Sequence, residues 1–379
     1  MKILHVVEVS HGGVVSLAET LADLQSGQGH EVHMLAQPDS VGAGRRTHEW
    51  VPRRRSPRRL LDAHRKLTSL VAREHFDVVH LHSFFAGLLG RLRGLGTSAV
   101  VYQPHSWAFE AAPTPVGPRA VGGWEKRAAR RTHALVTNCT EEREEGARFG
   151  VDVPATVIGL PLDTEHYRPG DEEDRASSRT RLGLTSRHVL VCVGRLSRQK
   201  GQAALAAQWE RDPLPGTTVV LVGPGDPGEL AKVAPRTFGD SLRHVGAQDD
   251  VRPWLWAADL CVQPSLYEGQ SVAMAEALAC GTPVVMTDVN GAREVICGSG
   301  VPAAGSVVPV GDMPGLLRAA RDLLENGHRR QGAGRVAREV AVRHFESSAV
   351  MRRLDAVYDQ ALDRAVDQVI DRVDRAAAS

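Results

Sequence analysis

The sequence predicts an α/β protein of two domains, each built on a doubly wound parallel sheet. The first indication is a strand at Ile3–Val9 that runs into a glycine turn, a helix at Val14–Gln25 and a second strand at Glu31–Ala36. A strand, a helix and a second strand in this order form a βαβ unit, which implies parallel strands. The second indication is that the same alternation begins again after a polar segment, 171–180. The third is the length of 379 residues, which suits two or three domains.

Further apolar runs extend both predicted sheets. In the first half we predict strands at Val78–Leu81, Ala99–Tyr102, Ala134–Thr137 and Thr156–Ile158, and helices at Phe84–Arg93 and Trp124–Arg131. In the second half we predict strands at His188–Val193, Thr217–Val222, Leu242–Val245, Leu260–Gln263, Pro283–Thr287 and Ser306–Pro309. The tail, 347–378, has helical periodicity without breakers. The polar segment Asp171–Thr180, in which Ala176 is the single apolar residue, is expected to be a linker.

The composition is that of an ordinary globular protein, with 42% hydrophobic and 24% charged residues. With a formal net charge of +1, the chain has no overall positive potential that would attract nucleic acid, so no nucleic-acid partner is expected. The five cysteines form no Cys-x-x-Cys pair, which indicates reduced thiols in a cytoplasmic protein rather than a disulfide or zinc framework. No apolar run reaches the roughly 18 residues of a membrane-spanning helix, and the first run is too short for a signal peptide.

The segment Glu268–Glu276, EGQSVAMAE, joins a strand end to a helix that is predicted to begin near Ser271 and to stop at Gly281. The unpaired N–H groups and the dipole at such a helix start favour an anion. Glu276 then lies about 7–9 Å along the axis from the phosphate end, which is about the distance from a diphosphate to a ribose. A carboxylate there can accept hydrogen bonds from two vicinal hydroxyls. The alternative is an ordinary solvated helix glutamate.

A second motif, Val193–Gly201 (VGRLSRQKG), places Arg195 and Lys200 on the loop after a strand. Open α/β sheets bind ligands at the carboxyl ends of their strands. A guanidinium fork and an ammonium point charge on such a loop suit a diphosphate. The alternative is a basic surface loop.

The first half offers weaker signals. Gly12 and Gly13 follow the first strand and allow a backbone to approach a ligand closely, although a tight turn requires the same residues. His105, in YQPHSW, follows a strand and could hydrogen-bond a sugar hydroxyl or a phosphate, or could serve only the structure of its loop. His80 and His82, in VVHLHS, are expected to line the strand end or an acceptor cleft.

Together these motifs resemble family 4 of the retaining glycosyltransferases, which have the GT-B fold, over nearly the whole chain. The most specific part is the Glu268-x7-Glu276 spacing followed by ALACGTPVV. The other residues that carry the resemblance are Gly12-Gly13, His105, Gly194-Arg195, Lys200-Gly201, Gly223, Gly225 and Ala258-Asp259.

The resemblance implies two doubly wound Rossmann-like domains that face a central cleft. Their expected bounds are an acceptor-binding domain at 1–168, a linker at 169–180, a nucleotide-sugar-binding domain at 181–345 and a helix at 346–379 that crosses back to the first domain. For the donor it implies that Arg195 and Lys200 hold the diphosphate, that Glu276 binds the ribose hydroxyls and that Glu268 contacts the sugar. His105 is implied to approach the sugar, and Gly13 to let its loop close over the phosphates. The remaining implied donor contacts are Gly12, Gly194, Gly246 near the base, Gly269, Gln270, Ser271 and Val272.

We therefore expect a retaining hexosyl transfer from a nucleoside diphosphate sugar, UDP rather than GDP, to a hydroxyl acceptor. The acceptor is a lipid-linked saccharide or exopolysaccharide precursor, or a secondary metabolite. No Asp-x-Asp follows a strand, so neither a metal nor a cofactor is expected, and the cations with the helix start stabilise the leaving diphosphate. Three alternatives remain: a nucleotide-sugar isomerase or epimerase of the same fold, a non-catalytic nucleotide-binding protein, and an oxidoreductase. The missing G-x-G-x-x-G argues against the last.

A basic stretch, Arg45–Lys66, contains nine cations opposed by Glu49 and Asp62. Clustered arginines attract anionic lipid at roughly 1 kcal/mol per charge, which would place the enzyme at the inner face of a membrane. The alternative is a solvated, mobile loop without a partner.

Overall fold

In the computed structural model the chain forms two compact units, Met1–Pro161 with Ser348–Ser379, and Leu162–Ser347. The structure describes residues 1–9, 12–38, 42, 45–52, 56–110, 117–298 and 303–377. His11, which precedes the Gly12-Gly13 turn, and Arg53–Arg55 of the basic stretch lie outside the described residues.

The first unit is a parallel sheet in the strand order β3-β2-β1-β4-β5-β6-β7, with helices in the connections. Its strands are β1 Lys2–Val7, β2 Glu31–Ala36, β3 Arg46–Glu49, β4 Val78–His82, β5 Ala99–Gln103, β6 Ala134–Thr137 and β7 Ala155–Val157. Its helices are α1 Gly13–Gly27, α2 Pro57–Glu74, α3 Ser83–Gly90, α4 Gly117–Ala128 with a 3₁₀ turn at Ala129–Arg131, and α5 Thr140–Arg148.

The second unit is a parallel sheet in the order β10-β9-β8-β11-β12-β13. Its helices are α6 Glu172–Arg181, α7 Gln202–Arg211, α8 Gly228–Val233, α9 Arg252–Ala257, α10 Val272–Ala279, α11 Ala292–Ile296, α12 Met313–Glu325 and α13 Gly327–Phe345. Its strands are β8 His188–Val193, β9 Thr217–Val222, β10 Leu242–His244, β11 Leu260–Gln263, β12 Val284–Thr287 and β13 Gly305–Val308. The last helix, α14 Ser347–Ala377, belongs almost entirely to the first unit.

The predicted fold class is confirmed, because both sheets are parallel and each reverses its strand order beside its first strand. Strands β4, β5 and β9 are buried along their whole length, as expected where helices cover both faces of a parallel sheet. The reversal points lie between β1 and β4 and between β8 and β11. Ligands bind such folds beyond the carboxyl ends of the strands at these points.

The predicted linker at Asp171–Thr180 is wrong, because α6 covers it. Asp171 caps this helix, since its side chain accepts the Asp174 backbone N–H while the Asp174 carboxylate accepts the Asp171 N–H. Arg175 and Arg179 then each donate to Asp259, at 2.9 Å. The segment lacks apolar residues because charge contacts, rather than an apolar stripe, hold the helix in place. The unit boundary falls after Pro161 instead of after Arg168.

For the basic stretch, a solvated, mobile loop was the alternative to a lipid-binding surface, and the structure forms β3 and the start of α2 from it. Charges that are distant in sequence oppose two of its arginines. Arg45 pairs with Glu19 at 3.0 Å and with Asp23 at 2.5 Å, and Arg46 pairs with Glu31. In the described ranges, no helix combines the length and the apolar character that a membrane span requires.

Candidate functional site

The loops at the carboxyl edge of the second sheet are joined to one another through their backbones. The N–H of Gly223, after β9, donates to the carbonyl of Gly246, after β10, at 2.8 Å. The N–H of Leu266, after β11, donates to the carbonyl of Gln199, after β8, at 2.7 Å. The N–H of Leu196, after β8, donates to the carbonyl of Pro224, after β9, at 2.8 Å, so the four loops form one continuous rim at the carboxyl edge of the sheet.

Gly201 allows the closest approach within this rim. Its φ is +70°, and a Cβ at this position would stand 2.0 Å from the carbonyl oxygen of Pro264. Only glycine adopts this conformation without strain and leaves room for the neighbouring backbone. The loop after β8 therefore lies directly against the loop after β11, and Lys200 is carried to that contact.

Lys200 and Glu268 form an ion pair across the two loops. The Lys200 Nζ lies 2.6 Å from the Glu268 Oε1, and the Ser265 hydroxyl donates to the same oxygen at 2.8 Å. The Glu268 residue is only 6% exposed. Burial of a carboxylate is costly unless it is paired and hydrogen-bonded, and both conditions hold here. The Gln199 amide reinforces the loop by donating to the Tyr267 carbonyl at 3.0 Å.

The start of α10 follows immediately. Ser271 caps the helix by accepting the Met274 N–H at 3.3 Å, and its hydroxyl donates to the buried Gln263 at 2.6 Å. Gln270 is 8% exposed, and its Oε1 has no hydrogen-bond partner within the described part of the chain. Gly269 is buried, and Val272 is the first helical residue. The helix start thus supplies N–H groups and a positive dipole end beside the Lys200–Glu268 pair.

Glu276 lies one turn further along α10 and is partly buried. The Tyr167 hydroxyl donates to its Oε1 at 2.9 Å. Burial raises the pKa of Glu276 to about 7, against the smaller opposing effects of the Tyr167 bond and the Lys200 charge. A carboxyl with this pKa ionises readily when a ligand donates a hydrogen bond to it. A solvated helix glutamate, the alternative considered above, would not have a raised pKa.

Arg195 differs from Lys200. Its side chain is exposed, and it forms no ion pair or side-chain hydrogen bond within the ranges that the structure covers. Gly194, just before it, has φ of +151° and lies against the Lys200 side chain, 3.5 Å from its Cδ if a Cβ is added. The rim therefore combines one cation that is engaged by Glu268 with another that is available to an anion.

In the first unit, Gly12 and Gly13 are exposed at the start of α1, and Gly12 has φ of +104°. This conformation favours glycine. Gly13 is the first helical residue, so its N–H belongs to the unpaired donors of the helix start.

His105 begins a short strained segment after β5. His105 and Ser106 have φ of +57° and +109°, which is costly for residues other than glycine. Glu142 holds this backbone, because its two carboxylate oxygens accept the N–H groups of Ser106 and Asn138, each at 2.7 Å. Burial lowers the pKa of His105 to about 3, so its ring is neutral at pH 7.

Of the two histidines expected at the strand end or in an acceptor cleft, His82 is the last residue of β4, and the side chains of both His80 and His82 are fully buried. With His5 of β1, they form a group whose nitrogens are spaced closely enough to hold a metal ion, the one such group found in the described ranges. Sequence reasoning missed His5 altogether. The available signal was that His5, His80 and His82 occupy inward positions of adjacent strands, with His80 and His82 two residues apart on one face.

Sequence reasoning also missed Tyr167, which contacts Glu276, and Ser265 and Gln199, which contact Glu268. Ser265 and Gln199 stand beside motif residues, so their position was visible. Tyr167 carried no signal, since it is 109 residues from Glu276 in the sequence.

Two family descriptions match this chain. The one described as Glycosyltransferase Family 4 matches residues 11–166, and the one described as Glycosyl transferases group 1 matches residues 187–326. The first covers most of the first unit, and the second covers the sheet, the rim and α10 of the second unit.

Named relatives are also glycosyltransferases. The UDP-Gal:alpha-D-GlcNAc-diphosphoundecaprenol alpha-1,3-galactosyltransferase of Escherichia coli is 31% identical over 59% of this chain and 61% of its own length. The D-inositol 3-phosphate glycosyltransferase of Kineococcus radiotolerans is 31% identical over 69% of this chain and 67% of its own length. These comparisons give no support to the isomerase alternative.

Among solved structures, Anabaena Alr3699/HepE in complex with UDP and glucose superimposes with a TM-score of 0.77 at 18% identity, over 94% of this chain and 98% of that one. At this identity the likeness establishes the fold. Three findings agree on the family: the two family descriptions match both halves of the chain, a relative is 31% identical over 67% of its own length, and the fold is shared. The chain therefore belongs to the family 4 glycosyltransferases and has the GT-B fold.

Proposed function

We propose that this protein transfers a hexosyl group from a UDP-sugar to a hydroxyl acceptor, with retention of the anomeric configuration. The observation that carries the proposal is the rim of the second unit. A single edge of the sheet carries four groups: the Lys200–Glu268 ion pair, the exposed Arg195 guanidinium, the start of α10 and the Glu276 carboxyl with its raised pKa. Glu268 suits the sugar, the two cations and the helix start suit the diphosphate, and Glu276 suits the ribose.

The diphosphate is the part of the donor with the most charge. Arg195 and Lys200 supply two cations, and the N–H groups from Gly269 to Val272 supply neutral donors aided by the helix dipole. Gly194 keeps the backbone beside the phosphates without a side chain. Charge on the leaving diphosphate grows in the transition state, so these groups stabilise it most there and act as electrostatic catalysts.

The ribose is assigned to Glu276. It lies five positions after the Ser271 cap, which is about 7.5 Å along a helix axis and matches the span from phosphate to ribose. Two vicinal hydroxyls can donate to its carboxylate. Gly246, whose carbonyl lies in the loop after β10, is assigned to the base.

The sugar is assigned to Glu268, Gln270 and His105. The Glu268 carboxylate and the Gln270 Oε1, which has no partner in the described part of the chain, are acceptors for sugar hydroxyls, which are donors. From the family resemblance alone, we also assign His105 to the sugar, and Gly12 and Gly13 to the phosphates.

In this mechanism the acceptor oxygen attacks the anomeric carbon on the face that the phosphate leaves. The leaving phosphate oxygen takes the acceptor proton, so no carboxylate nucleophile and no metal is required. Glu268 is already engaged by Lys200 and Ser265, which favours its role in binding over nucleophilic attack.

The acceptor substrate and the cellular location of the protein form a separate part of the proposal. The name of the Escherichia coli relative specifies a diphosphoundecaprenol-linked acceptor, and that of the Kineococcus relative an inositol phosphate. We propose a lipid-linked acceptor reached by peripheral contact with anionic membrane. Its support is the start of α2, where Arg58, Arg59, Arg65 and Lys66 are exposed beside Leu61, which is 47% exposed.

The decisive experiment combines binding with product analysis. A thermal-shift screen of UDP, GDP and their sugars should find a UDP ligand that stabilises the protein by about 2.7 kcal/mol at 100 times its Kd. NMR of the anomeric proton of the product should then show the donor configuration, with turnover unchanged in excess EDTA. An inverted linkage, or activity that is lost on chelation and restored by Mg²⁺, would refute the mechanism.

A further inference from the structure

Four histidines of the first unit form a stack that leads to His105. His5 and His82 have ring centroids 5.1 Å apart, and His82 and His105 have ring centroids 5.2 Å apart. The His5 Nδ1 lies 2.8 Å from the His82 Nε2, and the His82 Nδ1 lies 2.9 Å from the His105 Nε2. His5, His80 and His82 are fully buried, so water does not compete for these nitrogens.

A neutral imidazole has one N–H donor and one acceptor nitrogen. Every contact in a chain of such rings must therefore have the same direction. Burial lowers the pKa of His5 to about 4 and holds the pKa of His82 well below its usual range, so the rings are neutral at pH 7.

The two amides at the ends of the chain determine the direction. Gln25 presents its Oε1 to the His5 Nε2 at 2.7 Å, so this nitrogen must carry the proton. It follows that the His82 Nε2 donates to His5 and that the His105 Nε2 donates to His82. At the other end Asn138 presents its Nδ2 to the His105 Nδ1 at 3.4 Å, which requires that Nδ1 be an acceptor. The two ends are independent, and they agree.

Further contacts complete the hydrogen bonds of the two end amides. The Gln25 Nε2 donates to the Tyr358 hydroxyl at 3.2 Å, and this hydroxyl lies 2.8 Å from the His80 Nδ1, to which it donates its own proton. The Gln103 Nε2 donates to the Asn138 Oδ1 at 2.7 Å, which leaves the Asn138 Nδ2 for His105. His80 stacks on His82, with centroids 4.1 Å apart, but stands beside the chain rather than in it.

We propose that His5 and His82 are positioning residues that hold His105 as the neutral tautomer with its proton on Nε2. The His105 Nδ1 then carries no proton and cannot donate to a phosphate oxygen, and a sugar hydroxyl can donate to it in place of the Asn138 amide, whose contact is long at 3.4 Å. The role of His105 at the sugar rests on the proposed function; the tautomer does not. The same chain occupies the nitrogens of His5 and His82 that a metal ion would need, so the group formed with His80 holds no metal.

The tautomer is measured directly by long-range ¹H–¹⁵N NMR of the full chain labelled in histidine, at pH 7. We expect His5, His82 and His105 to carry their protons on Nε2. In His82→Phe the ring stack is kept, but the His105 Nε2 loses its acceptor and only the long Asn138 contact of 3.4 Å still favours the wild-type tautomer, so the His105 signals should shift to a mixture of tautomers. In His82→Asn the new Oδ1 can accept from His105, so its tautomer should be restored.

The matched control is His48→Phe, which removes one ring of a separate stacked histidine pair in the first unit, His33 and His48, with centroids 5.2 Å apart. It should leave the His105 signals unchanged. A proton on the His105 Nδ1 in the wild type, or an unchanged tautomer in His82→Phe, would overturn the proposal. So would metal retained at one ion per chain and lost in His80→Ala.

A functional measurement separates this inference from the proposed function. With the UDP-sugar that the wild type turns over, His82→Phe should lower kcat by about 10–100-fold, the range for a misplaced catalytic contact, while Kd for UDP stays unchanged. His82→Asn should recover most of this loss. If kcat falls equally in His82→Phe and His48→Phe, the positioning role is wrong. If no UDP-sugar is turned over, the proposed function fails while the NMR result still decides the tautomer.

Discussion

The ammonium of Lys200 lies 2.6 Å from a carboxylate oxygen of Glu268, on the loops after β8 and β11. In the absence of a ligand, the carboxylate neutralises the cation that is assigned to the diphosphate. Lys200→Met should weaken UDP binding by about 1.5–3 kcal/mol, the usual contribution of a hydrogen bond to a charged group. Glu268→Gln should leave UDP affinity equal or higher, because it removes a negative charge beside the phosphate site, yet reduce transfer at least about tenfold.

Calorimetry with UDP and a transfer assay test this contrast. Lys126→Met, at an exposed lysine of α4 in the other unit, is the control for loss of one positive charge. An equal loss of UDP affinity in the Lys200 and Glu268 variants would show that the pair serves folding rather than binding.

Gly201 should tolerate no side chain. Gly201→Ala is expected to cost ~1–2 kcal/mol of stability for the left-handed backbone, plus ~1–3 kcal/mol for the overlap with the Pro264 carbonyl. Gly183→Ala is the matched control, since Gly183 has φ of +63° and a Cβ added there would meet open space. Urea unfolding should separate the two variants, and UDP affinity should fall only in Gly201→Ala. Equal loss of stability in Gly201→Ala and Gly183→Ala would show that contact with the Pro264 carbonyl is not the reason for a glycine at position 201.

Glu276 should couple UDP binding to a proton. Its pKa of about 7 means that much of the site is protonated at pH 6.5, whereas ribose hydroxyls donate best to the carboxylate. Binding should therefore release a proton from this group, and UDP affinity should rise between pH 6 and pH 8. Calorimetry in two buffers of different ionisation enthalpy measures the release.

Two variants isolate this effect. Glu276→Gln should lose its share of the proton release, and Glu276→Ala should weaken UDP binding by about 1.5–3 kcal/mol. Glu172→Gln, at an exposed glutamate of α6, should change neither quantity. Proton release that is the same in wild type and Glu276→Gln would exclude Glu276 from the ribose contact.

Glu142 should make stability depend on pH. Burial raises its pKa from 4.5 to about 7, so between these values the folded state binds more protons than the unfolded state. The free energy of unfolding contributed by this group therefore falls as pH rises from about 4.5 to 7, by ~3 kcal/mol at most. Glu142→Gln removes that slope, although it costs about 1–3 kcal/mol because its amide faces one of two backbone N–H groups.

Urea unfolding at pH 5 and pH 8 provides the measurement. The stability advantage of the wild type over Glu142→Gln should be smaller at pH 8 than at pH 5. Glu144→Gln, whose side chain is 52% exposed, should show the wild-type dependence on pH. A constant difference between wild type and Glu142→Gln would mean that this carboxyl titrates normally.

The α2 surface should decide between membrane contact and a solvated helix. Replacement of Arg58, Arg59, Arg65 and Lys66 by serine removes four charges, each worth roughly 1 kcal/mol near an anionic surface at low salt. Flotation with anionic but not neutral vesicles should be lost in this variant. The control removes the same number of positive charges elsewhere in the first unit, by replacement of Arg127, Arg130, Arg143 and Arg148. Recovery of the wild type in the soluble fraction under all conditions would favour a soluble acceptor.

The sequence by itself determined both parallel sheets, the position of the helix start at Ser271 and the placement of Arg195, Lys200, Glu268 and Glu276 on strand-end loops and the following helix. These features depend on periodicity, turn residues and capping, which act over a few residues. The helix α6 was not predicted, because Arg175 on this helix is held by Asp259, which is 84 residues away in the sequence.

Only the tertiary structure decided which groups are buried together. Tyr167 reaches Glu276 over 109 residues, and His5 reaches His82 over 77 residues. A pKa and a tautomer both depend on desolvation and on the particular atom that faces the group. Those conditions arise only when distant segments pack, so the raised pKa of Glu276 and the direction of the histidine chain could not be obtained from the order of the residues.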